Sequence, residues 1–403
     1  MKYDFTTIIN RQGKDAIAVE GIGFMPGFTP EAPKEGYDFI PMWVADMNFS
    51  TVPTIQEEMI KRAQHGLFGY FLPTEEYYAS IIDWHEKRNG VTNLTKEAIG
   101  YENGVLGGLL SAMRVLCSQG DKVLIHTPTY VGFTMSLKNN GFDMIHSPLY
   151  RDEDGIWRMD YEDMEKKIIE HNIHATIFCS PHNPVGRVWE PEEIEKAMEI
   201  FERHNVFVIS DEIWSDILLD GNKHIPTQSV NDYAREHTVA LYAPSKTFNL
   251  AGLVGSYHII YNKWLRDRVR KESSLSHYNE MNVLSMHALI GAYKAEGHEW
   301  LDELNTVLSE NVQYVYDFVT DKFSGVTLSK PQGTYMLYLD CEEFCKRKDL
   351  TLEQLLKLGN DVGVGWQSGL LFNSPYSIRL NVALPLSKVK EAMDRLNEFV
   401  FVD

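Results

Sequence analysis

Cysteine is scarce: the 403 residues contain four. These are Cys117, Cys179, Cys341 and Cys345, and none falls in a CxxC pair. This argues against a disulfide-stapled scaffold and fits a reduced, cytoplasmic setting. Cys341 and Cys345 could share one side of a helix, but two sulfurs do not make a zinc site, so no metal is expected. Positive charge is also short. Lysine and arginine number 38 against 57 acidic residues, a net charge of −19. That balance argues against binding a nucleic-acid backbone and against docking on an anionic membrane. No apolar run reaches the ~18 residues of a spanning helix. The stretch Met1-Lys2-Tyr3-Asp4-Phe5-Thr6 lacks the charged and then apolar regions of a secretory signal. Internal repeats, low-complexity tracts, a GxGxxG fingerprint and a P-loop are all missing.

What is present is ordinary for a globular protein: 44% hydrophobic and 24% charged residues. The length suits one large domain plus a smaller one. Residues 1–40 read as an irregular arm lying over a larger body. The run Pro41-Met42-Trp43-Val44-Ala45-Asp46-Met47-Asn48-Phe49 is apolar except for Asp46. An acid among apolar neighbours needs a partner, which suggests a pocket-lining loop over a plain strand. Helices are expected from Pro53 to about Gln64, from Tyr77 to Arg88, and from the Gly104–Gly108 turn to Cys117. Beyond that, strands expected at 122–126, 143–147, 175–180, 206–210, 238–242 and 256–260 alternate with helices at 161–171 and 191–204. Several of these strands are continuous apolar runs, as in a sheet covered on both faces. The expected class is α/β with a mostly parallel sheet. After residue 280 the pattern changes to helices at 281–295 and 299–323, a β-rich segment at 334–340, a helix at 351–358, a strand at 376–382 and a last helix at 387–399. This gives a large domain at 48–285 and a smaller α+β domain made of 1–47 with 286–403.

Ligands of such sheets bind beyond the carboxyl ends of the strands, so the residues just after each strand matter most. Tyr130 follows the first of these strands. Pro181-His182-Asn183-Pro184-Val185-Gly186-Arg187 follows the third, and Asp211-Glu212-Ile213-Trp214 the fourth. Ser245 and Lys246 follow the strand at 238–242. Lys246 alone would pass for a surface lysine in a turn. Among small and apolar neighbours, desolvation would favour its neutral amine, which can form a Schiff base with an aldehyde. The glycines before the helix at 105 can gather backbone N–H groups around an anion. An amine, a carboxylate, an amide, an aromatic face and an anion nest suit a pyridine aldehyde carrying a phosphate. His182 reads as an interior or turn histidine, and Trp157 and Trp189 as packing.

The ordered pieces Asn183-Pro184-Val185-Gly186, Asp211-Glu212-Ile213, Ser245-Lys246 and Ser377-Ile378-Arg379-Leu380-Asn381 resemble the fold-type I pyridoxal-phosphate enzymes, the aspartate aminotransferase superfamily. The resemblance implies a seven-stranded-type sheet and pyridoxal 5'-phosphate bound as a Schiff base on Lys246, which is also the proton shuttle. Asp211 would pair with the pyridinium nitrogen, Asn183 would contact the ring hydroxyl, and Tyr130 would stack on the ring. The Gly104 turn would hold the phosphate through the N–H groups of Val105 and Leu106, with Ser245 nearby. Tyr70 would reach the phosphate from a second subunit of a homodimer. Arg379 would clamp the substrate α-carboxylate as a fork, with Asn183 and Val44 also beside the substrate.

Within the superfamily the chain is most similar to the MalY/PatB-type carbon–sulfur lyases, the cystathionine β-lyase-like branch. The stretches 42–49, 179–189, 210–214 and 243–249 carry that similarity. It implies α,β-elimination from L-cystathionine, cysteine or S-substituted cysteines, giving a thiol, pyruvate and ammonia. Two departures from the aminotransferase pattern agree with it. Trp214 stands where a tyrosine usually donates to the ring hydroxyl, and 253–256 lacks the arginine that binds the phosphate there. The segment 365–373 matches only loosely. An aminotransferase using the same site is the main alternative, and a non-catalytic cofactor-sensing regulator is the alternative from another class.

Overall fold

The computed structural model describes residues 1–275 and 278–402. Five strands, Lys122–Thr127, Asp143–Pro148, Ala175–Cys179, Phe207–Asp211 and Thr238–Tyr242, run parallel in a seven-stranded sheet. Across the sheet the order is Ile99–Asn103, Gly255–Ile259, Thr238–Tyr242, Phe207–Asp211, Ala175–Cys179, Lys122–Thr127 and Asp143–Pro148. Gly255–Ile259 is antiparallel to both neighbours. The expected α/β class with a mostly parallel sheet is therefore the observed one.

The sequence dictates this arrangement through burial on both faces. Every residue of Ala175–Cys179 and of Thr238–Tyr242 is buried. Successive side chains alternate between faces. Val123 and Ile125 pack with Leu109, Met113, Leu265 and Val269. Leu124, between them, packs with Met164, Ile168, Ile194 and Met198 on the other side. Helices Val105–Leu116 and Lys263–Ser274 thus cover one face, and Tyr161–His171 and Pro191–Arg203 the other. Each fully buried aliphatic side chain contributes about 1.5–3 kcal/mol. The covering helices have defined ends. Asp160 accepts from the Asp163 amide at 3.0 Å. Pro191 opens its helix behind a capping box of Glu190 and Glu193.

A second sheet has four antiparallel strands in the order Thr327–Leu328, Met336–Asp340, Ser377–Asn381 and Gln367–Ser368. Its register places Tyr338 and Gln367 directly opposite Arg379 on either side. Directly opposed residues share a face, so the three side chains point together. Ile40–Pro41 pairs in parallel with Val364–Gly365. The segment 42–49 then leads from this smaller sheet toward the larger one.

Some elements differ from the sequence reading. Lys263–Ser274 was not expected to be helical, because only Leu265, Val269 and Ser273 are buried in a mostly charged helix. Val131–Asn139 and Glu342–Lys348 are further helices that the periodicity did not reveal. The helix expected at 281–295 is Val283–Ala292, and it continues across position 285. It packs on Pro53–Ala63, where Thr54 Oγ1 donates to the Gly291 carbonyl at 2.7 Å. Cys341 and Cys345 are both buried. Among the described residues no group of three or more His, Cys, Asp or Glu side chains could hold a metal ion. No described helix is long and apolar enough to cross a membrane.

Candidate active site

The parallel strands all end at one edge of the large sheet, and their last residues or next loops bring the polar groups there. Phe207–Asp211 ends in Asp211 itself. Thr238–Tyr242 leads through Ala243 and Pro244 to Ser245 and Lys246. Ala175–Cys179 is followed by the turn that carries Asn183. His182 in that turn is buried, and its Nε2 meets the Pro128 carbonyl at 2.8 Å, an interior histidine as expected. Trp189 is buried and donates to the Cys179 carbonyl at 2.9 Å.

Lys246 keeps partial access to solvent while protein atoms surround its amine. Nζ donates to the Ala45 carbonyl at 2.8 Å, and the Tyr335 hydroxyl donates to the same oxygen at 3.1 Å. The Trp214 ring lies 5.6 Å from Nζ. Burial first, and then the Arg379 charge, lowers the Lys246 pKa to about 8, with Asp46 and Asp211 pulling the other way. Asp211 is buried, and its Oδ1 accepts from the Ile213 amide at 3.1 Å. Burial raises its pKa to about 7. Burial outweighs the nearby Lys246 charge here, so a cation placed against this carboxyl group would be stabilised.

Arg379 is 3% exposed. Its Nη1 donates to Asn183 Oδ1 at 3.1 Å. Its Nη2 donates to Gln367 Oε1 at 2.5 Å and to the Trp43 carbonyl at 3.3 Å. The Phe372 ring lies 4.6 Å from Cζ. Nε is buried without a partner. These acceptors are all neutral, and burial lowers the Arg379 pKa to about 10. A buried guanidinium facing neutral acceptors is a standing demand for an anion. Tyr130 precedes Val131–Asn139, edge-on to Phe133 at 5.3 Å. Burial raises its pKa, and the charges of Arg379 and Asp211 also act on it. The Val44 carbonyl accepts from Asn381 Nδ2 at 2.7 Å.

Gly104 ends the strand Ile99–Asn103 and precedes Val105–Leu116 with φ +78°, a conformation that favours glycine. The first amides of that helix, including Val105 and Leu106, have no acceptor within it. The helix lies close on the Lys246 strand: a Cβ added at Gly108 would come within 2.7 Å of Leu241 Cδ2. Val254, in the segment without the arginine, has φ +57° and flanks Gly104. Tyr70 stands fully exposed beside exposed Leu67, Phe68 and Leu72.

The model of the family described as aminotransferase class I and II matches residues 38–396. The chain belongs to that family. It is 32% identical to cystathionine beta-lyase PatB of Bacillus subtilis (strain 168), over 89% of this chain and 92% of that protein. It is 30% identical to protein MalY of Escherichia coli (strain K12), over 97% of each. Among solved structures it superposes on the PLP-bound C-S lyase from Staphylococcus hominis with a TM-score of 0.89. There the sequence identity is 31%, covering 100% of this chain and 99% of the other.

In this aminotransferase-family chain the fold brings Lys246, Asp211, Asn183, Arg379 and Tyr130 to one place, with Val44 on the loop beside it. Tyr70 is not among them within one chain. Gln367 and Tyr335 are site residues that the sequence reading did not single out. Only the strand register of the small sheet identifies Gln367, and Tyr335 lay in a segment read simply as β-rich. Asp46 was expected to need a partner, and Arg11 is that partner, Nη2 to Oδ2 at 2.5 Å.

Proposed function

We propose that this protein is a pyridoxal-phosphate-dependent carbon–sulfur β-lyase. It cleaves L-cystathionine, cysteine or S-substituted cysteines by α,β-elimination to a thiol, pyruvate and ammonia. The observation that carries this reading is the grouping of three perturbed groups where the small sheet meets the strand ends of the large one. These are an amine lowered to about pKa 8, an acid raised to about pKa 7, and a buried arginine among neutral acceptors.

These groups fit the cofactor. Lys246 would hold its aldehyde carbon. Asp211, buried with its pKa raised, would meet the ring nitrogen and keep it protonated. Asn183 would contact the ring hydroxyl and Tyr130 would pack on the ring. Gly104, Val105 and Leu106 would receive the phosphate, with the Ser245 hydroxyl. Tyr70 of a second subunit would complete that cradle in a homodimer. When bound, pyridoxal phosphate supplies an electron sink for the pair left at Cα.

The chain's own residues do the rest. Arg379 receives the substrate α-carboxylate, with Asn183 and Gln367 fixing the plane of its fork. The Trp43–Asp46 loop, Val44 included, would lie beside the bound amino acid. Freed Lys246 is neutral over a useful range, because its pKa is near 8 rather than 10.5. It takes the Cα proton as a general base. A thiolate leaves from Cβ with little acid assistance. The resulting aminoacrylate hydrolyses to pyruvate and ammonia. In this reading 48–285 is the cofactor-binding domain, and 1–47 with 286–403 is the smaller domain that supplies the carboxylate clamp. The setting is cytoplasmic, with no nucleic-acid or membrane partner.

Family membership keeps one second reading in view, transamination at the same site. The two separate by product. L-Cystathionine should give pyruvate stoichiometrically with released thiol. Exchange between an amino acid and a keto acid, with the cofactor bound and no pyruvate formed, would overturn the lyase reading.

A further inference from the structure

The loop at 43–49 meets the site through its backbone. The carbonyls of Trp43, Val44 and Ala45 accept in turn from Arg379 at 3.3 Å, Asn381 at 2.7 Å and Lys246 at 2.8 Å. Asn381 also reaches the Asp46 carbonyl at 2.6 Å. Asn249 clasps the next residue, accepting from the Met47 amide at 3.0 Å and donating to its carbonyl at 2.9 Å. The loop is therefore fixed from the inside at each step.

Mid-loop, Asp46 is held by a residue from far away in the sequence. Arg11 approaches Asp46 as a fork, with Nη2–Oδ2 at 2.5 Å and Nη1–Oδ1 at 3.1 Å. Nη1 also reaches Asn48 Oδ1 at 3.1 Å. The two charged side chains are 16% and 17% exposed. The surrounding arm is otherwise turned outward: residues 6–10 and 12–15 are all exposed, and Arg11 between them is not. The arm is anchored at both ends of this span. Phe5 is buried against Phe49 and Trp300, and the Ala18 carbonyl accepts from Trp43 Nε1 at 3.0 Å. Holding an exposed strap in one path costs conformational entropy, and the fork on Asp46 is the contact that offsets it mid-span.

We propose that Arg11 is a positioning residue for Lys246, holding the Ala45 carbonyl against the lysine nitrogen and offsetting the Asp46 charge beside it. This rests on the reading that Lys246 carries the cofactor. The charged groups acting on that nitrogen are Asp46 and Asp211 on one side and Arg379 on the other, with the Tyr335 hydroxyl sharing the Ala45 oxygen. Arg11 is the cation on Asp46. Removing it leaves the carboxylate free to stabilise a proton on the lysine nitrogen. Removing the carboxylate does the reverse.

The test is a pH titration of the visible absorbance of the pyridoxal-phosphate holoenzyme, which reads protonation at the Lys246 nitrogen without turnover. Arg11→Gln should raise the midpoint by roughly half to one pH unit, and Asp46→Asn should lower it by a similar amount. The double variant should return near wild type, and Arg11→Lys should recover most of the shift. A strap that acted only on folding would move both single variants the same way, or neither, and that outcome overturns the proposal. Should Arg11→Gln fail to fold, Arg11→Lys decides: a small rise of the midpoint, from loss of the fork, supports the proposal, and no shift or a fall overturns it. A wild-type protein that binds the cofactor with no visible band would instead overturn the assignment of Lys246, and this proposal with it.

Discussion

Arg379 Nη1 donates to Asn183 Oδ1 at 3.1 Å, joining the middle of the small sheet to a strand end of the large one. The contact fixes the arginine fork close enough to Lys246 for its charge to act on the lysine nitrogen. Both partners are buried, so neither can be re-satisfied by water when the other is removed.

Arg379→Lys should therefore keep the charge and lose the fork. A lysine ammonium cannot meet a carboxylate, Gln367 and Asn183 in one plane. Steady-state kinetics with L-cystathionine should show KM raised at least about tenfold, a loss of roughly 1.4 kcal/mol or more in substrate binding. Binding of pyridoxal phosphate itself should be little changed. A KM equal to that of the wild type would remove Arg379 from the carboxylate site.

Asp211 makes the cofactor-free protein sensitive to pH. Its carboxyl group titrates near 3.8 when unfolded and at about 7 in the folded chain. Between these values the folded state binds more protons, so the contribution of this group falls as pH rises from about 4 to 7. Urea denaturation of the apoprotein should show wild type losing stability over that window relative to Asp211→Asn, by a few kcal/mol at most. Parallel pH profiles for the two proteins would contradict a buried, unpaired acid.

Gly104→Ala tests the phosphate cradle. The added Cβ meets Val254 Cγ1 at an ordinary 3.7 Å, so the penalty is conformational rather than steric. Holding φ +78° and ψ 153° with an alanine costs about 1–3 kcal/mol, or moves the first amides of the helix. Thermal melting should fall by a few degrees, and cofactor affinity, measured by fluorescence titration, should fall about tenfold. Unchanged affinity with lowered melting would place the phosphate elsewhere.

Much of this site was legible in the sequence because a parallel sheet converts strand ends into a shared edge. Continuous apolar runs such as Ala175–Cys179 and Thr238–Tyr242 marked the strands, and the polar residues after them marked the edge. Asp46 was legible as an acid in need of a partner, but Arg11 was not legible as that partner. No periodicity connects residue 11 to residue 46, and the arm has no regular structure around it. Gln367 was hidden for a related reason. Its role follows from lying opposite Arg379 in a two-residue strand, and strands that short leave no pattern. The charged helix Lys263–Ser274 escaped because three buried positions are too few to set a period.

The central claim is that Lys246 both holds the cofactor and moves the Cα proton. The most direct measurement is the visible spectrum and the pyruvate yield from L-cystathionine, taken side by side for wild type and Lys246→Ala with pyridoxal phosphate supplied. Wild type should be yellow and release pyruvate with thiol, while Lys246→Ala should show neither the lysine-dependent band nor pyruvate. Pyruvate formed by Lys246→Ala at a rate near that of the wild type would contradict the account.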